Sequence, residues 1–230
     1  RHEEWGKEVV KNYKHDVFAF GTAVVDIVRG QFADAKPYIW QTDTAAAKNS
    51  WCYTENNHYK TSAQIIRDLV DIVSKNGRLL LNIGPKADGT IPDEDRKILL
   101  DIGQWLSVNG EAIYGAKLWR KSGEGPTQIQ EGQFADSEEK PYTSEDIRFT
   151  VNGSYLYAIC LNMKNKNSIS IKSLAEADAS KAPNFHGIIR SVEVLGYDKS
   201  PQWIRDSMGL KITTSLIESD KPVVFKILID

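Results

Sequence analysis

The segment Leu79-Leu-Leu-Asn-Ile-Gly-Pro85 decides the fold class of this chain, together with the segment Ala87-Asp-Gly-Thr-Ile-Pro92 that follows it. A run of apolar residues ends at a polar residue and a Gly-Pro pair, crosses a polar turn, and continues into a helix with a proline in its first turn. A buried strand that leads through a short loop into a helix is one unit of a parallel α/β fold. In such folds the loops after the carboxyl ends of the strands carry the chemistry. The segment therefore predicts one wall of an active site without naming the reaction.

The composition is that of an ordinary globular protein and excludes two classes of partner. The 230 residues include 29 basic and 31 acidic side chains, so the formal net charge is −2. This balance leaves no basic field for nucleic acid and no polybasic cluster for an anionic membrane surface. No apolar run is long enough to span a bilayer. Residues 1–5 have the pattern of the middle of a helix, so we expect the chain to be the downstream part of a longer protein.

Cysteine and histidine usage indicates neither a disulfide framework nor a metal site. Cys52 and Cys160 fall in different halves of the chain, too far apart in sequence for a disulfide framework. No cluster of histidine, cysteine and aspartate has the spacing of metal ligands. We expect both cysteines to pack as small hydrophobic residues.

The first half of the chain alternates short β-like runs with helical patterns. The runs at residues 8–13 and 23–28 have the β-branched composition of inner strands in a parallel sheet, and residues 38–40 form a shorter candidate. A capping box opens one helix after Thr61, and Pro92 opens another. These are three or four β/α units, whereas a closed barrel needs eight units and about 250 residues. This shortfall also favours a chain that is part of a longer protein.

After residue 116 the pattern becomes that of an antiparallel all-β domain. Residues 121–140 have the composition of a long surface loop, and Asn152-Gly153 suits a type I′ turn between two strands. Including that hairpin, strands are predicted at residues 146–151, 154–159, 168–171, 189–195, 210–214 and 223–229. Short strands at even spacing without helices indicate a small β-sandwich. The sequence thus predicts an α/β domain at residues 1–116 and an all-β domain at residues 117–230.

Several motifs in a fixed order together resemble one family. They are Arg29-Gly-Gln31, Trp40-Gln-Thr-Asp-Thr44, Ser50-Trp-Cys-Tyr53, Leu69-Val-Asp-Ile-Val-Ser-Lys-Asn-Gly77, Leu79-Leu-Leu-Asn-Ile-Gly-Pro85, Asp88-Gly-Thr-Ile-Pro92, Ile102-Gly-Gln-Trp-Leu106 and Val108-Asn-Gly-Glu-Ala-Ile-Tyr-Gly115, with Asp146-Ile-Arg-Phe149 and Tyr155-Leu-Tyr-Ala-Ile159 further on. The ordered series resembles the C-terminal part of the α-L-fucosidases of glycoside hydrolase family 29. The resemblance covers the chain almost from end to end.

The resemblance implies a fold, an activity and a set of partners. The fold would be the C-terminal part of a (β/α)8-like barrel followed by a small antiparallel β-sandwich. The activity would be retaining hydrolysis of terminal α-L-fucose from oligosaccharides or glycoconjugates, without a metal or other cofactor. Expected partners are the fucosylated glycan, the rest of the chain's own barrel, and a second copy in a homo-oligomer. The family is compatible with a secreted or periplasmic location.

A retaining mechanism needs two carboxyl groups about 5 Å apart, one as nucleophile and one as acid/base. In the family the nucleophile is an aspartate at the end of an earlier barrel strand, which should lie upstream of Arg1. No nucleophile is therefore assigned in this chain, and we expect the isolated 230 residues to be inactive.

Three positions carry the expected substrate contacts. By resemblance, Arg29 points into the sugar site, where its planar fork can hold sugar oxygens or orient a carboxylate; the alternative is a surface arginine at a strand end. Trp40 resembles the aromatic that forms a wall of that site, although a tryptophan after an isoleucine is also a good core residue. Gln41 is its neighbour in the site.

The acid/base carboxylate is missing where the family has it. Some members have it immediately before the arginine, where this chain has Val28, and others have it after the tryptophan, where this chain has Gln41. Asp43 is the better substitute, with a loop-capping aspartate as its alternative interpretation, while Asp26 is expected to be structural. The sequence therefore leaves open a hydrolase with a displaced acid or a fucose-binding homologue that does not hydrolyse.

Overall fold

The computed structural model of the chain describes residues 10–14, 17–136, 138–176 and 185–230. These residues form twelve β-strands and two α-helices. The helical pattern at residues 1–5 and most of the strand predicted at residues 8–13 lie outside the described residues. Neither helix in the described ranges combines the length and the apolar character that a membrane crossing requires.

Four parallel strands form the sheet of the first half. They are β1 (Asn12–Tyr13), β2 (Val24–Val28), β3 (Trp40–Ala45) and β4 (Gly77–Asn82), in the spatial order β1-β2-β3-β4. The strand predicted at residues 38–40 is therefore misplaced, because β3 starts at Trp40 and runs through the polar Gln-Thr-Asp-Thr segment. Polar residues are tolerated there because alternate side chains face opposite sides of the sheet.

Two helices cover one face of this sheet. The helix α1 (Ser62–Ser74) begins after Thr61, whose hydroxyl accepts a hydrogen bond from the Gln64 amide, as the capping box predicts. The helix α2 (Asp93–Asn109) follows Pro92, also as predicted. Apolar residues of α1 such as Ile72 and Ile65 pack against the sheet, and the sheet thereby buries one of its two faces.

The second half consists of two antiparallel sheets. The five-stranded sheet has the spatial order β5-β6-β7-β12-β9, and the three-stranded sheet has the order β10-β11-β8. Their bounds are β5 (Lys117–Glu124), β6 (Ile147–Asn152), β7 (Tyr155–Cys160), β8 (Lys166–Ile171), β9 (Ile189–Val194), β10 (Gln202–Asp206), β11 (Gly209–Ile217) and β12 (Val223–Ile229). The predicted hairpin is confirmed, with Gly153 at a φ of 58° in its turn. Sequence analysis missed β5 and β10, whose polar and charged residues hide the alternation.

The five-stranded sheet is buried on both faces. One face shares a core with the three-stranded sheet, where Phe149 and Phe225 meet Ile171 and Ile212. The other face packs on the helices, where Tyr157 and its neighbours contact the apolar side of α1. The helices therefore lie between the parallel sheet and the antiparallel sheet, and the two halves of the chain share a continuous interior.

This burial on both sides explains three charged residues inside α1. Arg67 donates to the Leu161 carbonyl at 2.9 Å, and Asp68 accepts from Gln31 at 2.9 Å. Asp71, which is fully buried, binds Arg148 of β6 at 2.5 Å and Lys75 at 2.6 Å. Burial would raise the pKa of Asp71, but the two adjacent cations outweigh it and the pKa is lowered. Paired charges thus join α1 to the β-rich half.

The fold class is therefore a parallel α/β part followed by an antiparallel β-rich part. Cys160 is buried as predicted, whereas the prediction for Cys52 is wrong, because that residue is exposed in the loop after β3.

Candidate active site

The predicted site residues lie along β2 and β3, at different heights of the sheet. Arg29 follows the carboxyl end of β2 and bonds to the Asp43 backbone, whereas Trp40 and Gln41 lie at the amino end of β3. Side chains alternate along β3, so that Trp40 and Thr42 face the helices while Gln41 and Asp43 face the opposite side. Trp40 is fully buried against Ile72, and its indole N–H donates to the Lys75 carbonyl at 3.0 Å. The prediction that Trp40 lines the sugar site is therefore wrong. Its packing partners place it in the core.

A polar cluster lies on the side of the sheet that faces away from the helices. Gln41 Nε2 donates to Asp26 Oδ2 at 3.0 Å, and Lys14 Nζ lies 2.6 Å from Asp43 Oδ2. One oxygen of each carboxylate is buried without a hydrogen-bond partner among the described residues. Burial raises the pKa of Asp26, and the neighbouring Asp43 raises it further. The cluster is thus a pair of interacting carboxyl groups with free acceptor atoms.

Val28 lies beside this pair. It is the last residue of β2, its register partner in β3 is Asp43, and its side chain faces the same side as Asp26. A carboxyl group at position 28 would therefore adjoin Asp43. The apolar side chain of Val28 supplies none.

Arg29 follows β2 and holds the loop after β3. Its guanidinium donates to three backbone carbonyls, those of Lys48 at 2.8 Å, Ala47 at 2.9 Å and Ser50 at 3.1 Å. The arginine is 6% exposed, which excludes the alternative of a surface arginine facing bulk water. Its Cζ atom lies 4.5 Å from the centre of the Trp51 ring, within the range of a cation–π contact.

Trp51 is, like Tyr53 of the same loop, a partly exposed aromatic residue at this edge. It is 38% exposed, and its carbonyl accepts a hydrogen bond from Asn82 Nδ2 at 2.7 Å. A Cβ atom on Gly84 would lie 2.6 Å from the Tyr53 amide nitrogen, so the glycine is needed for the loop to approach. The Asn-Ile-Gly-Pro segment after β4 therefore fixes the loop that carries Trp51.

A buried ion cluster supports the same edge on the helix side. Asp136 Oδ2 lies 2.6 Å from Lys60 Nζ and also accepts from the Thr44 hydroxyl. Arg29 Nη1 is 3.8 Å from the other oxygen of Asp136. Burial lowers the pKa of Lys60, and the carboxylate of Asp136 opposes this.

Sequence reasoning missed Asp136, Lys60 and Lys14. One signal was present for Asp136, because the pentapeptide Gly-Gln-Phe-Ala-Asp occurs twice, at residues 30–34 and 132–136. The copies meet in an antiparallel bridge between Gln31 and Gly132. The loop predicted at residues 121–140 therefore contributes to the candidate site.

Within the described part of the chain, neither a metal-ligand cluster nor the cleft in the β-rich half involves the predicted site residues. In the described residues, no group of three or more histidine, cysteine, aspartate and glutamate side chains is arranged to hold a metal ion. A cleft of about 750 Å³ lies in the β-rich half between β8, β11 and residues 124–126. None of the predicted site residues lines it.

Comparison with known proteins identifies the family. A family model described as Alpha-L-fucosidase matches residues 3–111. The tissue alpha-L-fucosidase of Homo sapiens is 31% identical over 170 residues, which cover 73% of this chain and 31% of that relative. The alpha-L-fucosidase of Dictyostelium discoideum is 46% identical over 68 residues, which cover 30% of this chain and 15% of the relative.

Solved structures extend the likeness to the β-rich half. The crystal structure of the Thermotoga maritima alpha-fucosidase in complex with fucose matches with a TM-score of 0.70 and 26% identity, over 99% of this chain and 46% of that one. This chain spans about a third of the length of the mammalian tissue enzymes and less than half of the bacterial one. The chain belongs to the α-L-fucosidase family and spans only part of the length of its members.

Proposed function

We propose that the protein to which this chain belongs is a retaining α-L-fucosidase that releases terminal α-L-fucose from oligosaccharides or glycoconjugates. The observation that carries the proposal is the pair of interacting carboxyl groups, Asp26 and Asp43, which face the uncovered side of the parallel sheet and each keep one oxygen without a hydrogen-bond partner among the described residues. The Trp51 ring lies separately, beside Arg29 at the carboxyl end of β2, and such edges hold the active sites of parallel α/β enzymes. An exposed aromatic face suits the apolar side of a sugar ring.

The same proposal includes a barrel and a domain boundary. The uncovered face of the parallel sheet carries Arg78 and Leu80, and Leu80 is 54% exposed. Strands of a parallel sheet are normally buried on both faces, so further barrel strands upstream of this chain would cover it. We place the boundary between barrel and sandwich at residues 116–117, just before β5.

The nucleophile would come from those upstream strands, and Asp43 would serve as the acid/base. Three properties support Asp43: it adjoins position 28, it faces the open side of the sheet, and one of its oxygens has no partner among the described residues. General acid help of this kind contributes about 10²–10⁴ to the rate. Arg29 and Gln41 would contribute to sugar binding indirectly. Arg29 holds the loop that carries Trp51, and Gln41 donates a hydrogen bond to Asp26.

The test uses the protein with its upstream barrel strands. Asp43→Asn should lower kcat on an alkyl α-L-fucoside by about 10²-fold or more, and less on an activated aryl fucoside that needs no protonation. Asp206→Asn is the matched control, because Asp206 lies in the β-rich half, where it accepts hydrogen bonds from the Met208 amide and from Lys211. Equal activity of the Asp43→Asn and Asp206→Asn variants would refute the acid/base role.

A second candidate is a fucose-binding homologue without hydrolytic activity. It is favoured by the apolar Val28 and by the engagement of Gln41 with Asp26. Calorimetry with L-fucose and a turnover assay distinguish the two candidates, since binding without release of an activated aryl group would select the non-hydrolytic protein.

A further inference from the structure

The second Gly-Gln-Phe-Ala-Asp segment, residues 132–136, docks on the carboxyl end of β2. The Phe134 amide donates to the Val28 carbonyl at 3.0 Å, and the Ala135 amide donates to the Arg29 carbonyl at 2.8 Å. A Cβ atom on Gly30 would lie 1.8 Å from the Gly132 oxygen, so only glycine permits this approach. A segment from the β-rich half is therefore built into the edge of the parallel sheet.

This docking fixes an unfavourable backbone at Arg29. Its φ is 46°, a left-handed conformation that non-glycine residues rarely adopt. The Arg29 amide donates to the backbone carbonyl of Asp43 at 2.8 Å on one side, and the Arg29 carbonyl accepts from the Ala135 amide on the other. The backbone is thus held from both flanking segments.

The side chains of the docked segment complete the arrangement. Arg29 and Lys60 are two buried cations that repel each other, and Asp136 is the carboxylate that contacts both. The guanidinium then binds the carbonyls of residues 47, 48 and 50 and lies beside the Trp51 ring. A continuous set of contacts runs from Asp136 through Arg29 to the exposed aromatic ring.

We propose that Asp136, supplied by the β-rich half, is a positioning residue of the sugar site that sets the orientation of Arg29 and thereby of Trp51. This inference rests on the proposed function for the identity of the sugar. The inference goes beyond the proposed function because it makes the second half of the chain a part of the site.

The first readout is the kinetic effect of Asp136→Asn in the protein with its upstream strands. We expect KM for an aryl α-L-fucoside to rise about tenfold with a smaller change in kcat, as for other residues that act through a coupled contact network. Asp146→Asn is the matched control. Asp146 is fully buried in the β-rich half and accepts hydrogen bonds from Thr127 and Thr143. The control should lower Tm and leave KM within about twofold.

A double variant separates positioning from charge balance. Asp136→Asn leaves Lys60 as an unpaired buried cation, and Asp136→Asn with Lys60→Met removes that penalty while Arg29 still lacks its carboxylate. A KM that stays raised in the double variant supports positioning. A KM that returns to the wild-type value would overturn it, because Asp136 would then only neutralise Lys60.

The second readout does not need catalysis. Acrylamide quenching of Trp51 emission, isolated from that of the other tryptophans by difference against Trp51→Phe, should increase in both Asp136 variants. Increased quenching in a protein that neither binds nor cleaves fucosides would keep the positioning role and reject the proposed function. Unchanged quenching in the double variant would reject the positioning role, whatever the activity.

Discussion

The side chain of Asn82 donates a 2.7 Å hydrogen bond to the Trp51 carbonyl, and this contact joins the end of β4 to the loop after β3. The Arg29 guanidinium, at the end of β2, donates a hydrogen bond to the Ser50 carbonyl of the same loop. Three neighbouring strands therefore converge on one aromatic ring. The ring's position is a consequence of the parallel sheet, whose strands all end at one edge.

A carboxylate at position 28 should replace the acid in a variant that lacks the Asp43 carboxyl group. In the protein with its upstream strands, position 28 is the register partner of position 43 and lies near Lys14, so Val28→Glu places a carboxyl group beside the one removed by Asp43→Asn. We expect Val28→Glu to raise kcat of the Asp43→Asn variant on an alkyl α-L-fucoside by about 10²-fold or more, because general acid help is worth that much, and to change kcat little where Asp43 is present. Val28→Gln in the same Asp43→Asn variant controls for size and polarity. Equal rates for the Glu and Gln variants would show that the acid lies elsewhere.

Removing Arg148 should destabilise the fold strongly. Arg148→Met leaves Asp71 fully buried with Lys75 as its remaining cation, which we expect to cost about 3–5 kcal/mol in the free energy of unfolding. Arg190→Met is the control, since Arg190 and Asp230 form a pair with half-exposed side chains and should contribute at most about 1 kcal/mol. Urea denaturation measures both. A similar loss of unfolding free energy in the two variants would contradict the claim that the buried Asp71–Arg148 pair matters more than the exposed one.

Adding a methyl group at Gly77 should also destabilise, and the reason is packing. A Cβ there would lie 2.5 Å from Ile72 Cγ2 and 2.6 Å from the Trp40 ring, so Gly77→Ala should cost about 1–3 kcal/mol. Gly103→Ala, in the interior of α2 with open space around it, should instead stabilise by about 0.5–1 kcal/mol. Thermal unfolding compares the two. Stabilisation by Gly77→Ala would show that Trp40 is not tightly packed.

The titration of Asp26 should make stability depend on pH. Its pKa is raised in the folded state, so the folded protein binds more protons than the unfolded chain above the ordinary value of 3.8. The free energy of unfolding should therefore fall as the pH rises from 3.8 through the folded pKa. Asp26→Asn should remove this decline and be the more stable protein at neutral pH. An identical pH profile for wild type and variant would refute the effect.

Much of the fold could be predicted from local sequence. The caps at Thr61 and Pro92 and the hairpin at Asn152-Gly153 are set by short-range hydrogen bonds and turn geometry, which a few neighbouring residues specify. The position of β3 was predicted wrongly because its polar residues do not have the apolar composition typical of an inner strand. Only the neighbouring strands show which of its side chains are covered.

Less of the site could be predicted, because its contacts are non-local. Arg29 was proposed from the family resemblance and from its place at a strand end, whereas Trp40 was left between a wall of the site and a core residue until the structure placed it in the core. Asp136 comes from a loop in the other half of the chain, and no local pattern shows that it meets Lys60.

The sequence by itself determined the family, the parallel and antiparallel halves, and the strand ends where chemistry would lie. These follow from short motifs and from periodicity, which are properties of neighbouring residues. The tertiary structure alone decided that Trp40 is buried while Trp51 is partly exposed beside Arg29, and that a segment of the β-rich half bonds to the backbone of Arg29. Side-chain direction and long-range pairing depend on how elements pack, and packing is a property of the folded chain as a whole.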